Sequence, residues 1–196
     1  MTDAELPLPV PSTELRDRLA RRRSSPAQSL AAPGPSGDQI REILEIGART
    51  PDHGKLFPWR FVILGPHTRA EIVAQLELLA ERQPDARKAR AVLSKLANPP
   101  TTILVVSTPT PGHKVPVWEQ ELSAGAVCMN LEHAAGALGF ATNWITDWYA
   151  YDPDALTLFQ IEAGEKIAGF IHIGTAPEAP LERPRPDMAA KVLFRP

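Results

Sequence analysis

The stretch HKVPVWEQELSAGAVCMNLEHAAGALG, residues 113–139, decides the fold of this chain. Proline at 116 fixes the entry to a helix, and Gly139 is the residue type that most often follows a helix end. The pattern predicts one long central helix over 117–138. Gly125 and Gly136 share a face, because their separation is close to three helical turns. Glycine inside a helix costs about 1 kcal/mol relative to alanine, so this face predicts the approach of another backbone or of a flat ligand.

Shorter elements precede and follow this helix. Capping residues and apolar spacing predict helices over 13–22, 37–50, 67–82, 84–97 and 153–160. Apolar runs bounded by proline or glycine predict strands over 60–64, 101–107, 140–146 and 166–174. The uneven order, without regular βαβ alternation, predicts an α+β class. We expect a flexible extension over 1–11, a single domain over 12–175, and an extended proline-rich tail over 176–196 that is a candidate for a free sheet edge.

Composition narrows the class of protein. The 196 residues are 43% apolar, enough for one sizeable core. Lys and Arg number 21 against 23 Asp and Glu, so no overall field favours nucleic acid or an anionic membrane as a partner. No secretory signal or membrane-spanning run is predicted. The single cysteine, Cys128, excludes an internal disulfide framework and indicates a reducing, cytoplasmic location. Cys128 is expected to be a small packed hydrophobe rather than a nucleophile.

A basic run closes the first helix at Arg22, Arg23 and Ser24. Guanidinium groups form bidentate contacts with phosphate oxygens, and a serine hydroxyl adds a donor, so this run could clamp a phosphate. The alternative is a solvated basic helix end, where arginine also suits the helix dipole. The residues alone favour this alternative.

A second block reads Arg49-Thr-Pro-Asp-His53, with Pro58-Trp59 close behind. A rigid turn could present a charge and an imidazole, while Trp59 walls a pocket; a helix stop with a core tryptophan explains the block equally well. Downstream, Glu119 and Glu121 are explained by the helix dipole without catalysis. No spacing typical of metal ligands ties the histidines and acids together, and Gly136-Ala-Leu-Gly139 is not a Rossmann motif, so neither a metal nor a bound dinucleotide is predicted.

Taken in order, these blocks and the later Gly-Phe-x-x-x-Trp resemble the compact branch of the nitroreductase family, over roughly residues 13–175. The resemblance implies an α+β homodimer with a central, mostly antiparallel sheet. FMN would bind at the subunit interface, and the long small-residue helix would pack near the dimer axis.

The resemblance also implies site residues. FMN would contact three segments: Arg22, Arg23 and Ser24; Arg49 and His53; Trp144, Ile145 and Thr146. In the second segment, Arg49 or His53 would reach across from the partner subunit. The nicotinamide cofactor would approach Ala134, Ala135, Gly136, Ala137, Leu138 and Gly139.

The implied activity is an FMN-dependent NAD(P)H oxidoreductase working by a ping-pong mechanism. NADH or NADPH would reduce the flavin, and a nitroaromatic, a quinone or a similar electrophile would then take the hydride. The flavin carries the chemistry, so no catalytic acid or base is required. The resemblance implies an arginine, as in one close relative, where this chain has Ile145. The alternative function is a flavin-binding or storage module without efficient turnover.

Overall fold

The computed structural model describes residues 6–195 of the chain. Its contacts divide these residues into two units. The larger unit comprises residues 24–179, and the smaller unit comprises residues 6–23 together with residues 180–195.

One antiparallel sheet lies at the centre of the larger unit. Its described strands follow the order β1-β2-β4-β3, with bounds β1 Trp59–Leu64, β2 Thr101–Ser107, β3 Ala141–Ile145 and β4 Lys166–Gly174. Strand β2 is buried along its whole length, because helices cover both faces of the sheet. The predicted α+β class, with an antiparallel sheet flanked by helices, is confirmed.

The helices of the described chain agree with the sequence prediction except in one segment. They are α1 Thr13–Ala20, α2 Gly37–Gly47, α3 Pro66–Ala80, α4 Ala86–Ala91, α5 Ser94–Ala97, α6 Val117–Ala137 and α7 Pro153–Leu158. The single helix predicted over 84–97 was wrong. The Leu93 amide donates to the Arg90 carbonyl, three residues back, and this tighter bond separates α4 from α5. Short 3₁₀ turns at Ala27–Ser29 and Trp148–Ala150 were not predicted.

Each face of the sheet has its own apolar core. Helices α2 and α6 cover one face, where the core includes Ile43, Ile103, Val127, Leu131 and Ile171. The other face is covered by α3, α5, α7 and the second 3₁₀ turn, where the core includes Leu76, Leu96, Tyr149, Phe159 and Phe170.

Helix α6 is the long central helix that the sequence predicts. Cys128 is fully buried in it, and burial raises the pKa of its thiol to about 12, so the expectation of a packed hydrophobe is confirmed. A Cβ added at Gly125 would meet the ring of Trp144 at 3.9 Å, and one added at Gly136 would meet nothing within 4 Å. Within the described part of one chain, the expected neighbouring backbone is therefore absent at both glycines.

The smaller unit consists of α1 and the tail. None of the residues Thr13–Ala20 is buried, and over residues 180–195 the tail forms no helix or strand. The large apolar side chains that the unit exposes are Leu6, Leu8, Val10, Leu15, Leu19, Leu181, Met188, Val192, Leu193 and Phe194. Among all the described residues, no helix is long and apolar enough to span a membrane.

Candidate functional site

The end of α2 is fastened to the middle of α6. Gly47 packs so closely on Leu131 that an added Cβ would lie 2.5 Å from its side chain. The hydroxyl of Thr50 donates to the Gly47 carbonyl over 2.9 Å and accepts from the Asn130 amide over 2.8 Å. The loop that begins at Thr50 therefore starts from a fixed point on α6.

Ser123 holds that loop at both ends. Its hydroxyl donates to the Pro51 carbonyl over 2.9 Å and accepts from the Trp59 indole N–H over 3.2 Å. Within the loop, the Asp52 carboxylate accepts from the Phe57 amide over 2.7 Å. The block 49–59, from which Arg49 and His53 are expected to bind FMN, is thus joined by hydrogen bonds to Ser123 of the long helix.

His53 is presented from this loop toward the first turn of α6. Its Nδ1 lies 2.7 Å from Glu119 Oε2, and 66% of its side chain is exposed. The sequence explains Glu119 by the helix dipole alone and misses this pairing, because the two residues are 66 positions apart. A local pattern carries no signal for such a contact.

A groove of about 530 Å³ opens beside this pair. Its walls combine apolar and polar side chains: Pro51, Asp52, His53, Glu119, Leu122, Ser123 and Ala126. That volume falls within the roughly 300–1,000 Å³ typical of small-molecule sites. Ser24 and residues 144–146 do not line the groove, although the resemblance groups them with His53.

The start of α6 is fixed by a buried glutamine that the sequence did not single out. Gln120 is 1% exposed, and its carboxamide oxygen accepts from the Thr110 amide over 2.8 Å. Its amide donates to the Val115 carbonyl over 3.0 Å. These bonds hold the loop before α6 and thereby the position of Glu119.

Arg49 follows α2 and is exposed. His53, four residues further along, is exposed as well. Both side chains of this block that are predicted to bind FMN are therefore accessible to a ligand.

Ser24 lies in a segment that is held against the edge strand β3. The Ser25 amide donates to the Thr142 carbonyl over 3.0 Å, and the Asn143 side-chain amide donates to the Ser25 carbonyl. Asn143 is a further residue that sequence reasoning missed, since its partner is 118 positions away.

Trp144, Ile145 and Thr146 are all half-buried and have different neighbours. The Trp144 indole donates to the Ala168 carbonyl over 3.1 Å and packs against the core beneath α6. Strand alternation places Ile145 on the opposite face. Thr146 Oγ1 lies 2.8 Å from the Tyr151 hydroxyl.

The nicotinamide stretch lies at the end of α6. Ala134 and Ala135 are buried in the core, Gly136 and Leu138 are half-buried, and Ala137 and Gly139 are exposed.

Arg22 and Arg23 follow α1 in the smaller unit, where the tail meets them. Arg23 Nε donates to the Leu181 carbonyl over 2.9 Å and lies 3.8 Å from Glu182. The Arg185 guanidinium donates to the Arg22 carbonyl over 3.4 Å. In residues 6–195 as a whole, no group of three or more His, Cys, Asp or Glu side chains is placed to hold a metal.

The family model described as "Nitroreductase family" matches residues 19–175. The chain is 37% identical over 161 residues to Escherichia coli K12 YdjA, named as a candidate NAD(P)H nitroreductase, covering 80% of this chain and 85% of that protein. The chain is also 31% identical over 171 residues to a Haemophilus influenzae protein named as a candidate NAD(P)H nitroreductase. That alignment covers 82% of this chain and 87% of the other protein.

Solved structures share the fold. A nitroreductase-like family protein from Bacillus cereus superposes with a TM-score of 0.80 at 20% identity, covering 96% of this chain and 99% of that one. A Bacteroides fragilis nitroreductase with bound FMN superposes with a TM-score of 0.74 at 19% identity, covering 94% and 100%. The expected family is confirmed: the chain belongs to the nitroreductase family.

Proposed function

We propose that this chain is an FMN-dependent NAD(P)H oxidoreductase that reduces small electrophiles such as nitroaromatics or quinones. The observation that carries the proposal is the groove beside α6, with an exposed imidazole at its rim and apolar walls. Family membership supports an oxidoreductase, and the FMN bound to a structural neighbour supports this cofactor.

The residues of the groove suit a planar flavin ring. Pro51, Leu122 and Ala126 offer apolar surface, while His53 offers a polar contact at the edge. A volume of about 530 Å³ is sufficient for a tricyclic ring. When bound, FMN would supply the redox chemistry in two half-reactions, accepting hydride from NADH or NADPH and returning it to the acceptor.

The protein's own task is to bind and orient. In the proposal, Arg22, Arg23 and Ser24 hold the phosphate and ribityl chain, and Arg49 and His53 add contacts. Trp144, Ile145 and Thr146 line the flavin. For the nicotinamide cofactor, we propose that contact is made through Gly136–Gly139, because Ala134 and Ala135 are buried in the core.

We propose a homodimer formed through α6. Trp118, Leu122 and Ala126 lie four residues apart on one exposed stripe of that helix, and Trp118 and Leu122 are 67% and 53% exposed. Monomeric proteins seldom leave contiguous apolar patches exposed. Since Leu122 and Ala126 also line the groove, a second copy on this stripe would complete its wall. The exposed apolar side chains of the tail suit packing on the same partner.

We place the protein in the cytoplasm on its single buried cysteine, which suits a reducing compartment. We also propose a single domain over 12–175, preceded by an extension over 1–11 and followed by a tail over 176–196. Residues 1–5 of that extension lie outside the described part of the chain.

The direct test of the cofactor is reconstitution. Protein stripped of flavin and titrated with FMN is expected to quench flavin fluorescence at one FMN per chain and to keep its yellow colour through gel filtration. A chain that takes up no FMN would contradict the proposal. The alternative, a flavin-binding module, is suggested by the apolar Ile145, where the resemblance implies an arginine. Flavin bound tightly yet left oxidised by both NADH and NADPH would support that module instead.

A further inference from the structure

The pair formed by His53 and Glu119 determines which ring nitrogen carries the proton. A carboxylate can only accept hydrogen bonds, so His53 Nδ1, 2.7 Å from Glu119 Oε2, must be the donor. In a neutral imidazole one nitrogen donates and the other accepts. Nε2 of His53 is therefore left with its lone pair.

Two further features fix the position of Glu119. It lies in the first turn of α6, where an acidic side chain suits the helix dipole. Gln120, the next residue, is fastened to the preceding loop, which fixes the start of the helix.

The accepting nitrogen of His53 is available to a ligand. Across residues 6–195 no hydrogen bond is made to His53 Nε2, and the residue lines the groove. A ligand that covers this nitrogen must supply a donor, because an unpaired polar atom is destabilising once water is removed from it.

A second histidine in the same pair of sequence blocks is held in the opposite state. The Val115 amide donates to His113 Nδ1 over 3.1 Å, so that nitrogen accepts and its Nε2 carries the proton. The two rings provide an internal comparison.

We propose that Glu119 is a positioning residue, which fixes His53 as the Nδ1–H tautomer so that Nε2 accepts a hydrogen bond from FMN. The donor on the flavin is its ring imide N–H or a ribityl hydroxyl. The identity of the ligand rests on the proposed function, whereas the tautomer can be measured on the protein without flavin. Orientation of a ring by a carboxylate on its far nitrogen is a common way of fixing a histidine for binding.

The first experiment measures the tautomer. Long-range ¹H–¹⁵N spectra of the five histidines are recorded on flavin-free protein at about pH 8.5, above the ordinary imidazole pKa of about 6.5. We expect a pyrrole-like Nδ1 and a pyridine-like Nε2 for His53, and the reverse for His113. Glu119→Gln should turn the His53 signals into a tautomer mixture, since a carboxamide can donate as well as accept. A protonated Nε2 in the wild-type ring, or an unchanged ring in Glu119→Gln, overturns the proposal.

The second experiment measures FMN affinity. Glu119→Gln should weaken binding about three- to tenfold, and adding His53→Ala to it should cost no more than His53→Ala alone, because the two residues act through one contact. Glu121→Gln is the matched control: Glu121 is two residues along the same helix, pairs with Lys166 over 2.6 Å and does not line the groove. It should leave tautomer and affinity unchanged. The flavin contact is overturned if the losses of FMN affinity in the two variants are additive, or if Glu119→Gln loses no affinity. Either result counts even where the tautomer is as expected. If the chain binds no FMN, the proposed function is contradicted. The tautomer of His53, measured without flavin, is tested independently of that result.

Discussion

His172 is fully buried inside the sheet, with Nδ1 2.9 Å from Thr102 Oγ1. Burial, with the positive charges of Arg69 and Lys95, lowers the pKa of His172 to about 3. In the unfolded chain the ring titrates near its ordinary pKa of about 6.5. As pH falls from about 6.5 toward 3, the unfolded state therefore binds a proton that the folded state does not, and stability is lost.

From this one ring we expect the free energy of unfolding to drop by about 2 kcal/mol between pH 7 and pH 5. Urea denaturation at the two pH values measures it. His172→Asn retains a side-chain amide for Thr102 and cannot titrate, so its stability should vary much less over this interval. An equally steep fall in His172→Asn would show that another group is responsible.

Arg22 and Arg23 are the residues proposed to hold the FMN phosphate. Charge-assisted hydrogen bonds contribute about 1.5–3 kcal/mol, so replacing both by alanine should weaken FMN binding roughly ten- to hundredfold while the fold persists. Fluorescence titration measures the affinity, and circular dichroism checks the fold. Arg16→Ala, on the exposed surface of α1, is the control and should bind FMN as the wild type does. Unchanged affinity in the double variant would refute the phosphate contact.

At the scale of elements, β3 and β4 are locked together by Trp144 and Gly169. A Cβ on Gly169 would lie 2.1 Å from the Trp144 indole nitrogen, which also donates to the Ala168 carbonyl. Gly169→Ala should therefore lower stability by about 1–3 kcal/mol through overpacking. Gly37→Ala is the comparison, since an added Cβ there meets nothing within 4 Å. Urea midpoints that shift equally in both variants would contradict this packing.

Most of the helices and strands could be predicted from the sequence. Helix α6 and strands β2 and β4 are bounded by proline, glycine and long apolar runs, which are local signals. The break between α4 and α5 could not be predicted, because no glycine or proline marks it. It depends on backbone hydrogen bonds to the residue three positions back, at Leu93, Lys95 and Leu96.

The candidate site shows the same division. The block 49–59 supplies candidate site residues and the stretch 113–125 begins the central helix, and the structure joins the two through Ser123. The packing of α2 on α6 determines which side chains of the two segments come into contact. The pairing of His53 with Glu119 depends on that packing and could not be predicted from the sequence. For Arg22 and Arg23, the residues alone favour a solvated helix end, and only the resemblance to the family predicts a phosphate contact.

At the scale of the whole molecule, the exposed stripe on α6 predicts the assembly. Leu122→Glu places a charge on the surface proposed to join two copies, and burying an unpaired charge costs several kcal/mol. We expect the variant to sediment as a monomer in analytical ultracentrifugation where the wild type sediments as a dimer. Leu78→Glu is the matched control, a leucine on α3 that is 66% exposed. A dimer in Leu122→Glu, or a monomer in the wild type, would exclude this interface.

We propose that the whole molecule uses FMN to pass hydride from a nicotinamide cofactor to an electrophile. Anaerobic titration of the FMN-loaded protein tests it most directly, followed by flavin absorption in the visible range. We predict that NADH or NADPH bleaches the flavin band and that a nitroaromatic or quinone then restores it. Flavin that stays oxidised with both nicotinamides, or that once reduced is not reoxidised by either class of acceptor, would contradict the account.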